Sequence, residues 1–597
     1  MQHVNSKIDP KLSLSLSSLI ASSSRKLPEP AAARSLAFLG ASRLSVSKAD
    51  LVSVLIETDD ADKLLAEVPT PRAEETVEKL SDGILSAHLG LGSVQKLAKL
   101  SRVDRVQSKK RKQPHLTSAR ADISLTASVS GPRQVAETGK DVLIGIIDSG
   151  FDLTHPMLLD SSGKPRVEGL LVQHDDGTQK EFTAAEVAAA LAAGSNPAAD
   201  ENGHGTHVAS IAGGTSFKGF EGIAPDARFL LVKTDFLNTD RAAAWVFRKA
   251  KNRPCVINMS LGHHFGAHDG TDAEERLHET LIGPGKLIVI SAGNERTDAI
   301  HIGGRFFPTQ AETVSFDILP DRVNGPSATM TLWYDQRDEF DIELVSPSGT
   351  VFKVPAVGTQ SQFPSSAMVV SLLRQRYAPS ALVQAQLQIR FTTLNVSNLR
   401  LRGWSLRLTC NTAVVGRIDG WFSNSGFATF RPHALVETAR TVGLSATGRG
   451  CLAVASHVSK NAWKSDLGDE SDIRAVVGRS SSFSSLGPTR DGRRKPDISA
   501  PGQFVTAALA TGSDMAGLDE RVVTADRLLT IEGTSMASPV VTGVVALMLQ
   551  KKPKLKLADA LTALSASARR DAHTGVADWT PTYGVGKIDV KAALDKI

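Results

Sequence analysis

Four short runs constrain this chain more than any other feature: "DVLIGIID" (141–148), "FLLVKTD" (229–235), "CVINMSL" (255–261) and "KLIVISA" (286–292). Each is apolar on consecutive residues and rich in Val and Ile. Each therefore predicts a strand buried on both faces, not one. Helical stretches lie between the later runs, including "DRAAAWVFRKAKN" (240–252) and "TDAEERLHETLI" (271–282). Strands alternating with helices predict an α/β fold, a parallel sheet with helices on both faces. The texture returns at "CLAVAS" (451–456), and "IEGTSMASPVVTGVVALMLQ" (531–550) predicts a buried helix entered through Gly533, Thr534 and Ser535. A serine at that entry is either a helix cap or a group in the positive field of unpaired backbone N–H groups, where an oxyanion would also be favoured.

The alternation breaks between about 305 and 435. "AETVSFDIL", "SATMTLWYD", "FDIELVSPSGTVFKV", "ALVQAQLQIRF" and "LRLRGWSLRLTC" are β-patterned with turns between them. This block predicts an inserted β-sandwich or jelly roll with Trp333, Trp404 and Trp421 in its core. It divides the α/β domain into 139–304 and 436–597. An added piece, "EFTAAEVAAALAAG" (181–194), predicts an amphipathic helix. Upstream, 49–107 predicts a small α+β domain with the outline β-α-β-α-β, and 1–48 a helical extension of low order. Residues 108–138 read as a linker and processing region, carrying the basic run Lys109, Lys110, Arg111 and Lys112.

Composition excludes other classes. Lys and Arg number 68 against 63 Asp and Glu, a formal charge of +5 that is too small to make nucleic acid the main partner. No run of about 18 apolar residues predicts a membrane span. "LSLSLSSLIASSS" (12–24) follows Asp9 and Pro10 and is interrupted by serines, so it reads as an amphipathic helix and not as a signal core. Three cysteines, Cys255, Cys410 and Cys451, are an odd and sparse set that argues for a reducing compartment, hence the cytoplasm.

Three polar groups stand at the ends of α/β segments. Asp148 closes "IIDSG", where a carboxylate is costly unless paired, His204 opens "HGTHVASIAGG" between two glycines, and Ser535 opens the buried helix. Each alone reads more readily as a turn, cap or structural residue than as a catalytic one. Together, in the order Asp, His, Ser on a parallel scaffold, they resemble the subtilisin arrangement. "GIIDSGFDLTHP", "NGHGTHVASIAGG" and "GTSMASPVVTG" are similar to the aspartate, histidine and serine motifs of subtilases, "VINMSLG" (256–262) to their substrate-binding strand, and "SAGN" (291–294) to the oxyanion segment. "SFSSLGPTRDGRRKPDISAPG" (482–502) resembles the stretch before the serine helix.

The resemblance implies a serine endopeptidase with Ser535 as nucleophile, His204 as general base and Asp148 as its orienter. The Asn294 side chain and the Ser535 N–H would form the oxyanion hole. Ser260, Leu261 and Gly262 would bind an extended peptide and form one wall of the specificity pocket; Ala292 and Gly293 would form the other. Gly443 would lie at its floor, though it reads equally as a turn residue. With no acid in these segments, a large apolar residue before the cut is expected. The insert resembles that of spore-germination subtilases, and 49–107 resembles a subtilase propeptide, an intramolecular folding partner. Two other readings remain: a non-catalytic protein on a subtilase scaffold, and a protease dedicated to one partner. No cofactor is implied for catalysis. Subtilases often bind structural calcium, but no site can be placed here, and "QHDDG" (173–177) reads as a turn. "GHHFGAH" (262–268) reads as an exposed loop, not a zinc site. Asn395 heads a glycosylation sequon that matters only in a secreted chain.

Overall fold

The computed structural model describes residues 51–67, 76–81, 84–108, 117–128, 131–174, 178–234, 236–319, 326–377, 380–391, 401–423 and 428–597. The helix expected near 9–24, the basic run 109–112 and Asn395 lie outside them, as does most of "QHDDG". The described residues form two compact units, one ending by Ser108 and one starting at Thr117.

The first unit has β1 (Leu51–Thr58), α1 (Ala61–Glu67), β2 (Thr76–Ser81), β3 (Ile84–Gly90), α2 (Leu91–Leu97) and β4 (Val103–Ser108), with sheet order β2-β3-β1-β4. The outline is therefore β-α-β-β-α-β. The sequence reading lacks β2, "TVEKLS", whose polar content hides a strand that pairs antiparallel with β3. Ile56, Leu64, Leu85, Leu89, Val94, Leu97 and Val103 fill the core.

The second unit is built on an eight-stranded sheet. Its strands are β5 (Leu143–Asp148), β6 (Val167–Gln173), β7 (Gln179–Thr183), β8 (Arg228–Lys233), β9 (Cys255–Met259), β10 (Lys286–Ser291), β11 (Leu452–Val458) and β12 (Ile498–Gln503), in the order β12-β11-β10-β9-β5-β8-β6-β7. All pairs are parallel except β6–β7. Strands β5 and β9 are buried at every position, as runs without alternation require. The chain leaves β5 toward β6 and β8 and later returns to its other side as β9. The carboxyl end of β5 is thus a switch point, where α/β sheets leave a crevice.

Helix α3 (Thr117–Asp122) corrects the linker reading of 108–138. Ala119, Ile123 and Leu125 belong to the main core, and Asp122 pairs with His457 at 2.8 Å and Arg569 at 3.0 Å. These partners are hundreds of residues away, so no local signal announces them. The helix expected at 181–194 is α4 (Ala184–Ala192); residues 181–183 belong to β7, and Thr183 caps the helix in a capping box with Glu186. Helices α5 (His204–Gly213), α6 (Thr239–Ala250), α7 (Ala273–Leu281) and α8 (Thr534–Lys551) supply the remaining elements used below.

The insert consists of a six-stranded and a five-stranded antiparallel sheet, from His301 to Phe430. Glu339–Val345 alternates exposed and buried, the pattern of a strand with one solvated face. Both sheets contribute to one core that holds Trp333, Trp404 and Trp421.

Candidate active site

Asp148 is the last residue of β5 and is 2% exposed. Its Oδ1 lies 2.7 Å from His204 Nδ1 and also accepts the Ser149 N–H at 2.8 Å. His204 is the first residue of α5. Its entry is made by Gly203 at φ +101°, a left-handed turn that favours glycine, and by Asp200. The Asp200 carboxylate accepts the Gly203 N–H, the Thr206 N–H and hydroxyl, and the Ser149 hydroxyl. One carboxylate therefore caps the helix that carries His204 and ties it to the strand end that carries Asp148.

Burial alone would push the His204 imidazole below the ordinary 6.5. The charge of Asp148 and its hydrogen bond outweigh burial, so the pKa lies above 6.5. Because Asp148 faces Nδ1, the neutral ring carries its proton there and leaves Nε2 as a base.

Ser535 sits in the first turn of α8. Its hydroxyl donates to the Ser260 carbonyl at 3.3 Å, and the Ser260 hydroxyl donates back to the Ser535 carbonyl at 2.9 Å. Ile147 pairs with Met259, so Ser260 follows β9 beside Asp148. All three groups therefore meet at one sheet edge. No hydrogen bond joins His204 to Ser535 in this conformation: the relay is closed from Asp148 to His204 and open from His204 to Ser535. Such bonds commonly tighten only with substrate bound.

Ser538, the other serine of the motif, is fully buried and donates to Asn258 at 2.8 Å. Asn258 also accepts from Thr542 and donates to Ser260 Oγ, so one buried amide in β9 clamps α8 to the strand. Asn258 lies inside "VINMSLG", yet neither it nor Asp200 carries a sequence signal for these contacts.

Asn294 is exposed, and its Oδ1 accepts the backbone N–H of Thr534 at 2.9 Å and its hydroxyl at 3.0 Å. With Oδ1 so engaged, the amide presents Nδ2 as a donor beside Ser535. Thr534, absent from the sequence-based set, also accepts the Gly293 N–H at 3.1 Å. The pocket segments converge as well. The Gly443 N–H donates to Ala292 at 2.9 Å and the Leu444 N–H to His263 at 2.7 Å, tying both walls to one base. The nearest atoms to a Cβ on Gly443 would be the His263 carbonyl at 3.6 Å and the Ala292 carbonyl and His263 nitrogen at 3.9 Å, and a Cβ on Gly262 would meet only the Leu444 carbonyl, at 3.8 Å. Leu261 is half-buried and Ser260 is buried.

A profile of the subtilase family (peptidase S8) matches residues 139–586. The chain belongs to the subtilase family. Among relatives of this subtilase, the minor extracellular protease Vpr of Bacillus subtilis (strain 168) is 24% identical over 435 residues, 70% of this chain and 46% of that protein. The major intracellular serine protease of the same organism is 30% identical over 163 residues, 26% of this chain and 44% of that protein. The matches thus span less than half the length of these two relatives. The structure of the Clostridium perfringens CspB protease is similar in fold, with a TM-score of 0.66 at 22% identity, covering 80% of this chain and 97% of that one.

One expectation needs revision. "GHHFGAH" is not an exposed loop: His264 and His268 are 2% and 1% exposed, because the insert packs over them. Among the described residues no cluster of three or more His, Cys, Asp or Glu side chains could hold a metal ion. Carbonyls do converge from Met157, Gly213, Pro225 and Ala227, but the buried Arg166 guanidinium fills that cage, donating to all four.

Proposed function

We propose that this subtilase is a serine endopeptidase that cleaves protein substrates through an acyl-enzyme. The carrying observation is the meeting of Asp148, His204 and Ser535 at one sheet edge, with Asn294 held beside the serine. His204 Nε2 takes the Ser535 proton as the hydroxyl attacks the scissile carbonyl, then returns it to the leaving amine. Asp148 orients the ring and stabilises the imidazolium. Asn294 Nδ2 and the Ser535 N–H receive the oxyanion. Residues 260–262 bind the peptide as an added strand. The small lining at Gly262, Gly293 and Gly443 favours a large apolar residue before the cut. The chemistry calls on no cofactor, nucleic acid or membrane.

The reading extends to self-processing of the 49–107 domain. A cut within β4 would break its sheet, and one beyond Leu125 would detach Ala119, Ile123 and Leu125 from the core. This supports a processing site between Ser108 and Thr117. The three buried free cysteines support a cytoplasmic site of action. N-terminal sequencing of wild type beside Ser535→Ala, with fluorophosphonate labelling, tests the whole reading. A labelled, shortened wild type and an unlabelled, full-length variant are expected. Intact wild type that takes no label at Ser535 would favour the non-catalytic reading.

A further inference from the structure

Two segments beyond the oxyanion strand present apolar side chains to water beside the site. Along the sheet edge, residues 260–262 follow β9, Asn294 follows β10, and residues 459–484 follow β11. Residues 504–532 follow β12 and run to the entry of α8. Both segments leave parallel strands at the carboxyl edge that carries Asp148. They are held to each other: the Trp463 indole N–H donates to the Glu520 carbonyl at 2.8 Å, and the Asp466 N–H to the Val522 carbonyl at 2.7 Å. The Arg521 guanidinium lies over the Trp463 and Phe504 rings, 4.8 and 5.0 Å from their centroids.

Each segment is tied to the catalytic groups as well. The Met515 N–H donates to the carbonyl of Asn202, close ahead of His204, at 3.3 Å. Arg521 lies 3.8 Å from the carboxylate of Glu532, close ahead of Ser535, and Arg474 is within electrostatic reach of the same carboxylate. The Ser485 N–H donates to the carbonyl of Gly293, the neighbour of Asn294, at 3.0 Å. Between these ties stand Ile473, 77% exposed, Val477, 48%, and Val476, 43%; Leu467 and Leu518 are exposed on the same two segments. The run is not loose. Ala475 is buried with Val458, Trp463 and Phe504, the Gly478 N–H donates to Val458 at 2.8 Å, and the Asp472 N–H donates to Asn461 at 2.9 Å. Its charges pair locally, Arg474 with Asp472 at 3.1 Å. Aliphatic side chains held out into water on an anchored segment mark a contact surface.

A peptide held on residues 260–262 ahead of its scissile bond, with the reacting carbonyl between Ser535 and Asn294, runs from β9 past β10. An extended chain keeps its direction, so the half that leaves passes over β11 and β12, where this surface lies. We propose that Ile473, Val476 and Val477 bind apolar residues that follow the cut, so that the enzyme selects on the leaving side of the bond as well as before it. The proposal rests on the endopeptidase reading. Continuity with the cleft singles out substrate as the occupant: the segments that carry these side chains end on the neighbours of His204, Asn294 and Ser535. With the nearby charges already paired, the surface offers a substrate apolar contact and not an ion pair.

The test uses the full chain and two quenched fluorescent peptides that are identical up to the cut and continue as Val-Leu-Ile or as Ser-Gln-Thr, with the cut position read by mass spectrometry. The apolar peptide is expected to have a kcat/KM about tenfold above the polar one. In the combined variant Ile473→Ser, Val476→Ser, Val477→Ser, the ratio is expected to fall to within about twofold, with urea unfolding as the check on its fold. In Ser535→Ala, a labelled fragment beginning Val-Leu-Ile is expected to bind about tenfold more tightly than one beginning Ser-Gln-Thr, a readout that needs neither turnover nor the combined variant. Equal kcat/KM for the two peptides in wild type, equal binding of the two fragments, or a ratio that survives the three substitutions overturns the proposal. A wild type that sediments as a dimer beside a monomeric variant with an unchanged ratio also overturns it, and gives the surface to a second copy of the chain. The endopeptidase reading is scored separately, on a peptide 4-nitroanilide that carries no residue after the cut. Turnover of the anilide with equal rates on the two peptides sinks the leaving-side surface alone; no Ser535-dependent turnover of the anilide refutes the enzymatic reading and this proposal with it.

Discussion

Thr534→Val isolates the group that aims Asn294. The threonine is fully buried, and valine has nearly its shape, so the substitution deletes a hydroxyl and little packing. The hydroxyl donates to Asn294 Oδ1 at 3.0 Å and accepts the Gly293 N–H at 3.1 Å. The Thr534 N–H, 2.9 Å from the same Oδ1, survives. Removing an oxyanion donor outright costs about 2.7–4 kcal/mol, or about 100- to 1000-fold in turnover. Thr534→Val leaves the donor present but held by one bond instead of two. A net loss of about 1–2 kcal/mol is therefore expected in the transition state, a fall in kcat of about 5- to 30-fold with KM little changed. The stranded Gly293 N–H should also lower stability by about 1–3 kcal/mol. Steady-state cleavage of a peptide with a large apolar residue before the cut, paired with urea unfolding, reads both effects. Thr534→Ser should lie near wild type in kcat. The reasoning fails if Thr534→Val turns over within twofold of wild type, or if Thr534→Ser is as damaged as Thr534→Val.

Four further outcomes follow from the structure. Asp148→Asn should cut kcat by about 10⁴, because the amide no longer selects the tautomer, while fluorophosphonate labelling slows and does not vanish. In wild type the acid limb of kcat/KM should lie above pH 6.5, since His204 must lose its proton to act as base; a limb below that value contradicts the Asp148 contact. Burial pushes the Glu275 carboxyl up to about 7 from the ordinary 4.5. The folded state then holds its proton more tightly, so this group's stability is complete below pH 4.5 and falls as pH rises to about 7. Glu275→Gln should accordingly stabilise at pH 8 by up to about 3 kcal/mol and not at pH 4, measured by denaturant unfolding. Arg166→Met should destabilise by at least about 3 kcal/mol, because four buried carbonyls lose a charged donor; a melting temperature within a degree of wild type would show that the cage does not hold its loops.

Sequence by itself determined the central strands of the sheet and marked the candidate site residues. Strands such as β5 and β9 are buried on both faces, so burial writes itself as an unbroken apolar run, readable without partners. The motifs are legible because each is local: a strand end, a helix start, a glycine entry. Only the tertiary structure decided what crosses between them. Thr534 reaches back to Asn294, Asn258 forward to Ser538, Asp200 back to Ser149, and Asp122 across to His457. Each is a polar side chain whose environment comes from a distant segment, and periodicity holds no record of that. The histidines of "GHHFGAH" show the same limit: hydrophilic in sequence, they are buried because a sheet inserted after them supplies Trp421 as a cover. Local pattern reports what a residue does with its neighbours in the chain. Orientations and caps depend on the neighbours that folding brings.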